Sequence, residues 1–126
     1  MSKRYYLGNI KSDAENSNHN GWVVGEFMED PVRNTEAVEI KYWEFQPGVT
    51  GHATKTSTAY EVTILLEGEM MGAIDTEEIT LRAGEYVAIQ PGVENNLAKS
   101  AISFVRGITI KAPSDSNNKT LKAEAK

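Results

Sequence analysis

The chain has 126 residues, a length that suits one domain with one hydrophobic core. Hydrophobic residues make up 40% of it, and the formal net charge of −5 argues against nucleic-acid binding, which requires a basic face. The absence of cysteine excludes disulfides, thiolate metal sites and thiol nucleophiles. No apolar run approaches the ~20 residues of a membrane helix, and the first residues lack the apolar segment of a signal peptide. We therefore expect a cytoplasmic protein that has no membrane partner.

Short segments rich in Val, Ile, Tyr, Trp and Thr recur along the chain, separated by Gly, Pro, Asn and Asp. This spacing is typical of an all-β sandwich or barrel. The polar stretch 12–20 predicts a loop with at most one helical turn. We expect residues 1–112 to form one barrel domain, whose first 20 residues are a strand and this loop, and residues 113–126 to form a flexible tail. The predicted strands are 5–10, 22–28, 37–45, 60–66, 70–74, 79–81, 86–89 and 102–111.

Two groups of residues in the middle of the chain have the spacing of a known pair of motifs. In the first group, Gly48 follows a proline, and Glu61 is separated by six residues from Gly68. In the second group, Gly84 and Gly92 are separated by seven residues, and Asn95 follows three positions later. With these motifs, the order of predicted strands resembles that of the cupins. The resemblance implies a single-domain double-stranded β-helix, also called a jelly-roll barrel.

The same resemblance shows that most of the cupin metal ligands are missing. Metal-binding cupins use two histidines and a carboxylate from the first motif and one histidine from the second, a set that suits divalent iron, manganese, nickel or zinc. Here Glu61 is retained, and Asn95 replaces the last histidine. We therefore expect no metal and no other cofactor. Counted back from Glu61 in the two possible registers, the first two histidine positions are either Lys55 and Ser57 or Thr54 and Thr56.

The single histidine of the first motif, His52, leaves a further possibility open. In an extended strand His52 would share a face with Thr54 and Thr56, because side chains alternate. Together with Glu61 it would give two ligands, which is fewer than the three protein ligands of a usual catalytic site. An exposed loop histidine and an unusual metal site that includes His52 and Glu61 both remain open.

Alternation along the predicted strands suggests which side chains line the barrel. If Glu61 faces inward, Thr63 and Leu65 share its face, and we expect Lys41, Trp43 and Phe45 to face inward from the strand before Pro47. Tyr86, Ala88 and Gln90 share a face on a later strand. The candidate catalytic residues are Glu61, His52 and Tyr86. The candidate ligand-binding residues are Glu61, Asn95, Gln90, Trp43, Lys41, Thr54 and Thr56.

These patterns predict a metal-independent cupin that binds a small polar organic molecule, sugar-like or of the organic-acid type. One alternative is an isomerase, epimerase or lyase that uses acid–base chemistry without a metal, in which His52, Tyr86 or Lys41 would partner Glu61. A second is a metal enzyme with the His52 and Glu61 ligands, and a third is a non-catalytic structural or regulatory module. We also expect a homodimer whose contact includes residues 5–10, because exposed sheet edges need protection.

Overall fold

The computed structural model describes residues 4–115 and 119–121. In this part of the chain one short helix, α1 (Ile10–Glu15), precedes a series of strands that pair antiparallel. The strands are β1 (Trp22–Val24), β2 (Glu39–Phe45), β3 (Gly48–Val49), β4 (Lys55–Ser57), β5 (Tyr60–Glu67), β6 (Glu69–Ile74), β7 (Glu77–Arg82), β8 (Tyr86–Ile89), β9 (Asn95–Ala101), β10 (Val105–Ala112) and β11 (Lys119–Leu121).

The strands form two sheets. The first sheet has the order β1-β2-β10-β5-β8, and the second has the order β11-β4-β9-β6-β7, with β3 added beside β9. Strands that are neighbours in a sheet are often far apart in sequence, as β2 and β10 are, which is the connectivity expected of a jelly roll. The predicted all-β jelly-roll fold is confirmed.

The hydrophobic core lies between the two sheets. Leu65 and Val105 from the first sheet and Met70 from the second are almost completely shielded from water. Burying a side chain of this size stabilises the fold by about 1.5–3 kcal/mol. The strict alternation of buried and less buried residues along β5 directs one face of that strand to the core. The buried core residues are Trp43, Leu65, Met70, Leu81, Ile89, Leu97, Ala101 and Val105.

The beginning of the chain differs from the prediction. Residues 5–9 form no strand, so the predicted strand 5–10 is wrong. The reason is a helix cap: the Asn9 side chain accepts a hydrogen bond from the Ser12 amide at 2.9 Å and starts α1. Ala14 of this helix packs with Val23 and Tyr42 outside the main core.

Three further differences appear after β2. The predicted strand 102–111 begins only at Val105, because the preceding segment Asn95–Ala101 is itself a strand. The short strands β3 and β4 were not predicted, and β11, which lies within the predicted tail, pairs with β4. Asn, Ala and Lys have low strand propensity, which explains why β9 was not predicted.

Among the described residues no helix is long and apolar enough to cross a membrane, and a cytoplasmic location stays a prediction.

Candidate functional site

A cavity of about 150 Å³ opens between the two sheets, beside the core. Its walls combine aromatic side chains with lysines, and a volume of this size suits a molecule comparable to a six-membered ring. Beyond Trp22 lies a wider polar depression, which shares Lys111 and Lys119 with the cavity and also contains Glu39 and Asp115. The residues that line the cavity are Trp22, Lys41, Trp43, Phe45, His52, Ala53, Lys55, Glu61, Thr63, Met70, Asn95, Asn96, Leu97, Ala98, Thr109, Lys111 and Lys119.

Strand register explains the arrangement of the first sheet, because residues directly opposite each other on antiparallel strands share a face. Three rows of paired positions cross this sheet, and they become less polar towards the core. The first row is Glu39, Lys111 and Glu61; the second is Trp22, Lys41, Thr109 and Thr63; the third is Trp43, Gly107 and Leu65.

Glu61 is a buried carboxylate held by two lysines. Its side chain is 3% exposed, and Lys55 Nζ lies 2.9 Å from Oε1 and 3.2 Å from Oε2. Lys111 Nζ lies 3.6 Å from Oε1. Since Lys55 belongs to the second sheet and Glu61 to the first, this ion pair links the two sheets across the cavity. A buried carboxylate requires such partners, because desolvating an unpaired charge is costly.

Lys41 differs from the two lysines that contact Glu61. No carboxylate among the described residues forms an ion pair with it, and its Nζ lies 5.6 Å from the ring centroid of Trp22. Burial lowers the pKa of Lys41, and the charges of Lys119 and Lys55 lower it further. Burial also lowers the pKa of Lys111. The cavity therefore holds ammonium groups in an environment that disfavours their charge.

An aromatic wall faces the lysines. Trp43 and Phe45 stack with ring centroids 5.3 Å apart, and the Trp43 indole nitrogen donates to Thr109 Oγ1 at 2.9 Å. Gly107 is required beneath this ring, because a Cβ there would lie 2.5 Å from two Trp43 carbons. The wall offers an apolar surface that is fixed in orientation.

His52 lies at the edge of the cavity, against the aromatic wall. Its ring meets Phe45 edge-on at 5.0 Å, and Nδ1 lies 2.7 Å from Thr50 Oγ1. The Thr50 hydroxyl donates to the Ala98 carbonyl, so it accepts from His52, which places the proton of the neutral imidazole on Nδ1. Burial, followed by the charges of Lys41, Lys119 and Lys55, lowers the pKa of His52. These effects favour the neutral imidazole, with Nε2 as an acceptor.

Asn95 brings an unsatisfied acceptor to the same cavity. The residue is 3% exposed, and its amide nitrogen faces the Val93 carbonyl at 3.4 Å. That contact fixes the amide orientation, because the reverse orientation would bring two oxygens together. Asn95 Oδ1 is buried and has no hydrogen-bond partner among the described residues. Such an atom is costly unless a ligand or solvent donor reaches it.

The structure brings together some of the predicted site residues. Glu61, Asn95, Trp43, Lys41 and His52 all line the cavity.

The other predicted site residues lie outside it. Tyr86 is 69% exposed, and Gln90 is also at the surface. The reason is register: Ile89 opposes the inward-facing Glu61, so the opposite face of β8 turns to solvent. Thr54 and Thr56 also lie outside, because Lys55 takes the inward position on β4.

The cavity residues that sequence reasoning missed include Lys55, Lys111, Trp22 and Lys119. Lys55 occupies a histidine position in one of the two registers counted back from Glu61. A buried Glu61 needs a cation beside it, and this need could have selected the register in which Lys55 faces inward. Lys111 continues the inward parity of Gly107 and Thr109, so alternation could have found it. Trp22 and Lys119 carry no comparable signal, since one lies on a strand of three residues and the other in the predicted tail.

The ligand positions of the cupin metal site do not suit a divalent metal ion in this chain. Both Glu61 oxygens contact the Lys55 ammonium, and Lys55 projects into the cavity from a histidine position. Asn95 supplies only a neutral amide oxygen, a poor ligand for the metals that cupins prefer. Among residues 4–115 and 119–121, no group of three or more His, Cys, Asp or Glu side chains is arranged to hold a metal ion.

No protein-family model matches the chain, and no curated protein matches it. Solved structures do. An uncharacterised conserved protein with a double-stranded β-helix domain from Klebsiella pneumoniae subsp. pneumoniae is similar over 95% of this chain and 99% of its own, with a TM-score of 0.66 and 15% identity. A cupin protein from Bacteroides fragilis is similar over 71% of this chain and 73% of its own, with a TM-score of 0.54 and 18% identity.

An enzyme is also among the similar structures. Salicylate 1,2-dioxygenase from Pseudoaminobacter salicylatoxidans, solved with gentisate, gives a TM-score of 0.64 at 13% identity, over 77% of this chain but only 28% of the dioxygenase. Identities this low carry the fold and no activity. The chain thus has the double-stranded β-helix fold that these similar structures show.

Proposed function

We propose that the barrel binds a small organic acid without the help of a metal ion. The observation that carries this proposal is the composition of the cavity: among the described residues that line it, four lysines face one carboxylate, Glu61. The lysines would hold the carboxylate of the ligand, and the aromatic wall of Trp43 and Phe45 would contact its apolar part.

The charge balance favours an anion over a neutral sugar. Lys111 is offset by Glu61 and by Glu39 on its other side, but Lys41 has no ion pair with a described carboxylate. A bound anion would compensate the Lys41 charge and the repulsion from Lys55 and Lys119. A neutral ligand would bury these charges further and leave them uncompensated.

The size and polarity of the cavity narrow the ligand class. About 150 Å³ admits an acid of roughly the size of a single six-membered ring. Asn95 Oδ1 would accept a hydrogen bond from a hydroxyl, amine or imine group on such a ligand. A small acid with one hydrogen-bond donor therefore pairs with both the lysines and Asn95 Oδ1, whereas a simple fatty acid pairs only with the lysines.

The independence from metal rests on the carboxylate of Glu61. A divalent cation would have to displace the Lys55 ammonium and would be repelled by the remaining lysines. Elemental analysis of the untagged protein tests this. Near one equivalent of iron, manganese, nickel or zinc, lost in Glu61→Ala, would contradict the proposal.

One observation favours an acid–base enzyme as the second candidate. His52 is held in the Nδ1-protonated form by Thr50, which leaves Nε2 available as a base close to the lysines. The lowered pKa of His52 favours the unprotonated form of that base. Turnover of a bound acid by the purified protein, lost in His52→Gln while binding is retained, would favour the enzyme.

Calorimetric titration with matched pairs of acids and amides tests the binding proposal. We expect benzoate and lactate to bind and benzamide and lactamide to bind at least tenfold more weakly, since charge-assisted hydrogen bonds contribute ~1.5–3 kcal/mol. Lys41→Met should remove most of this preference. Lys99→Met, at an exposed position of β9, is the control. Equal affinity for acids and amides in the parent protein would contradict the proposal.

The proposed assembly is a homodimer. Tyr5 and Leu7 are 65% and 89% exposed, and neither belongs to a strand or helix. A second copy would shield these apolar side chains from water.

A further inference from the structure

The amine of Lys41 has the surroundings of a nucleophile. Lys55 and Lys111 both contact Glu61, whereas Lys41 forms no ion pair with a carboxylate among the described residues. Register places Lys41 between Trp22 on β1 and Thr109 on β10, within the row that borders the apolar core. Its amine therefore lines the cavity 5.6 Å from the ring centroid of Trp22, on a position opposite Thr109.

These surroundings make the neutral amine easier to form than it is for an exposed lysine. Removal from water disfavours the charged form, and the neighbouring charges of Lys55 and Lys119 disfavour it further. Both effects lower the pKa of Lys41, which increases the neutral fraction at a given pH. A desolvated lysine beside another cationic group is a recognised way to activate an amine as a nucleophile.

We propose that Lys41 forms an imine with a small acid that also carries an aldehyde or ketone group. This inference rests on the proposed function, because the carboxylate of the ligand is held by the lysines that line the cavity. It narrows the ligand class to oxo acids. It also gives a role to the lysine that no described carboxylate neutralises.

The step balances without an oxidant or reductant. The Lys41 nitrogen attacks the carbonyl carbon, and proton transfer from nitrogen to oxygen gives a carbinolamine. Loss of the hydroxyl group with the second amine proton, as one water, forms the carbon–nitrogen double bond. The carbinolamine hydroxyl and the protonated imine are both hydrogen-bond donors, and the unsatisfied Asn95 Oδ1 lines the same cavity.

Reductive trapping tests the proposal directly. The full-length protein is incubated with pyruvate and cyanoborohydride, and the products are analysed by intact mass and by peptide mapping. We expect one reduced pyruvate adduct per chain, located on Lys41. Lys41→Arg keeps a positive charge but cannot form the imine, and it should lose the adduct. Lys99→Arg, at an exposed position outside the cavity, should keep it.

Two parallel measurements separate this inference from the binding proposal. Lactate has the carboxylate of pyruvate but no carbonyl group, so it should bind and compete with trapping without forming an adduct. If pyruvate and lactate bind equally and no adduct forms on Lys41, the imine is overturned and the binding proposal stands. An adduct spread over several lysines, and unchanged in Lys41→Arg, also overturns the imine. If neither acid binds and no adduct forms with pyruvate or the smaller glyoxylate, both proposals fail.

Discussion

Lys55 Nζ, on one sheet of the barrel, lies 2.9 Å from Glu61 Oε1, on the other. The resemblance to cupins puts a metal ligand at Glu61, and the structure puts a lysine of the same chain against it. The pair therefore both joins the two sheets and fixes the charge of the cavity. Glu61 holds a second cation as well, because Lys111 Nζ lies 3.6 Å from the same oxygen.

Replacing Glu61 should destabilise the protein. Glu61→Gln keeps the shape but leaves the partly buried Lys55 without its carboxylate and removes one of the two carboxylates that offset the buried Lys111, which we expect to cost roughly 3 kcal/mol of unfolding free energy. Urea unfolding at pH 7 measures this. Glu67→Gln is the matched control, because the Glu67–Arg106 pair is exposed at a similar distance of 2.9 Å and should cost less than about 1 kcal/mol. Equal effects at the two positions would show that burial of the Glu61 pair is unimportant.

The same variant distinguishes two roles of Glu61 in binding. If the lysines hold the ligand carboxylate, Glu61→Gln releases them and benzoate should bind more tightly, by about tenfold. If Glu61 itself accepts a hydrogen bond from the ligand, affinity should fall instead. Calorimetry at low temperature, where the destabilised variant is folded, decides between these outcomes.

Lys41→Met should stabilise the protein while weakening its binding of acids. The folded state lowers the pKa of Lys41, so it binds this proton less readily than the unfolded state. Unfolding therefore takes up protons between the lowered pKa and the ordinary value near 10.4, and the stability of the parent rises with pH in that window. The gain in unfolding free energy of Lys41→Met over the parent protein should be largest below the lowered pKa of Lys41. This gain should shrink as the pH approaches 10. A constant advantage across pH would contradict this explanation.

Asn95→Leu should raise the melting temperature of the free protein. It removes a buried acceptor that lacks a partner, a defect that costs ~1–3 kcal/mol, and replaces it with an apolar side chain of similar size. The neighbouring Asn96 is the control, since its amide donates to the His52 carbonyl at 2.8 Å. Asn96→Leu breaks that bond and should lower the melting temperature. A decrease in both variants would show that Asn95 Oδ1 is satisfied in solution.

His52 should report on anion binding through its pKa. Burial and the lysine charges lower that pKa in the free protein. A bound carboxylate would offset the lysines and favour the imidazolium, so benzoate should raise the pKa of His52 in an NMR titration. The shift should be smaller in Lys41→Met. The other histidine, His19, pairs with Glu29 outside the cavity and provides the internal reference.

Much of the barrel could be predicted from sequence, because its longer strands alternate clearly. The inward positions of Lys41, Trp43 and Phe45 follow from alternation on β2. On β8, by contrast, both faces are partly apolar, and the candidates Tyr86 and Gln90 lie on the solvent face whereas Ile89 is buried. Alternation alone cannot choose between two such faces without the cross-strand register.

The second sheet was harder to predict for a different reason. Residues 50–54 between β3 and β4 have no regular structure, so alternation could not be counted through them to Lys55. The position of Lys119 depends on the pairing of β11 with β4, a contact between residues about sixty positions apart. Pairings of that range leave no local pattern in the sequence.

The exposed N-terminal side chains give a test of assembly. We expect the full-length protein to be dimeric at micromolar concentration and Leu7→Asp to shift it towards monomer, because a charge at an apolar contact must be desolvated. Val49→Asp, at an equally exposed position on β3, is the control. Light scattering measures both. A monomeric parent protein would rule out the homodimer.

The position of Lys119 matters for any preparation of this protein. Lys119, which lines the cavity, lies only seven positions from the last residue of the sequence, on a strand of three residues. The final segment was predicted to be a flexible tail, which would encourage its removal. Shortening the chain after residue 115 would remove one of the four lysines together with β11. An affinity tag fused at that end would follow the cavity-lining Lys119 closely in sequence. Purification with an N-terminal, cleavable tag is the safer choice for every binding experiment on this barrel.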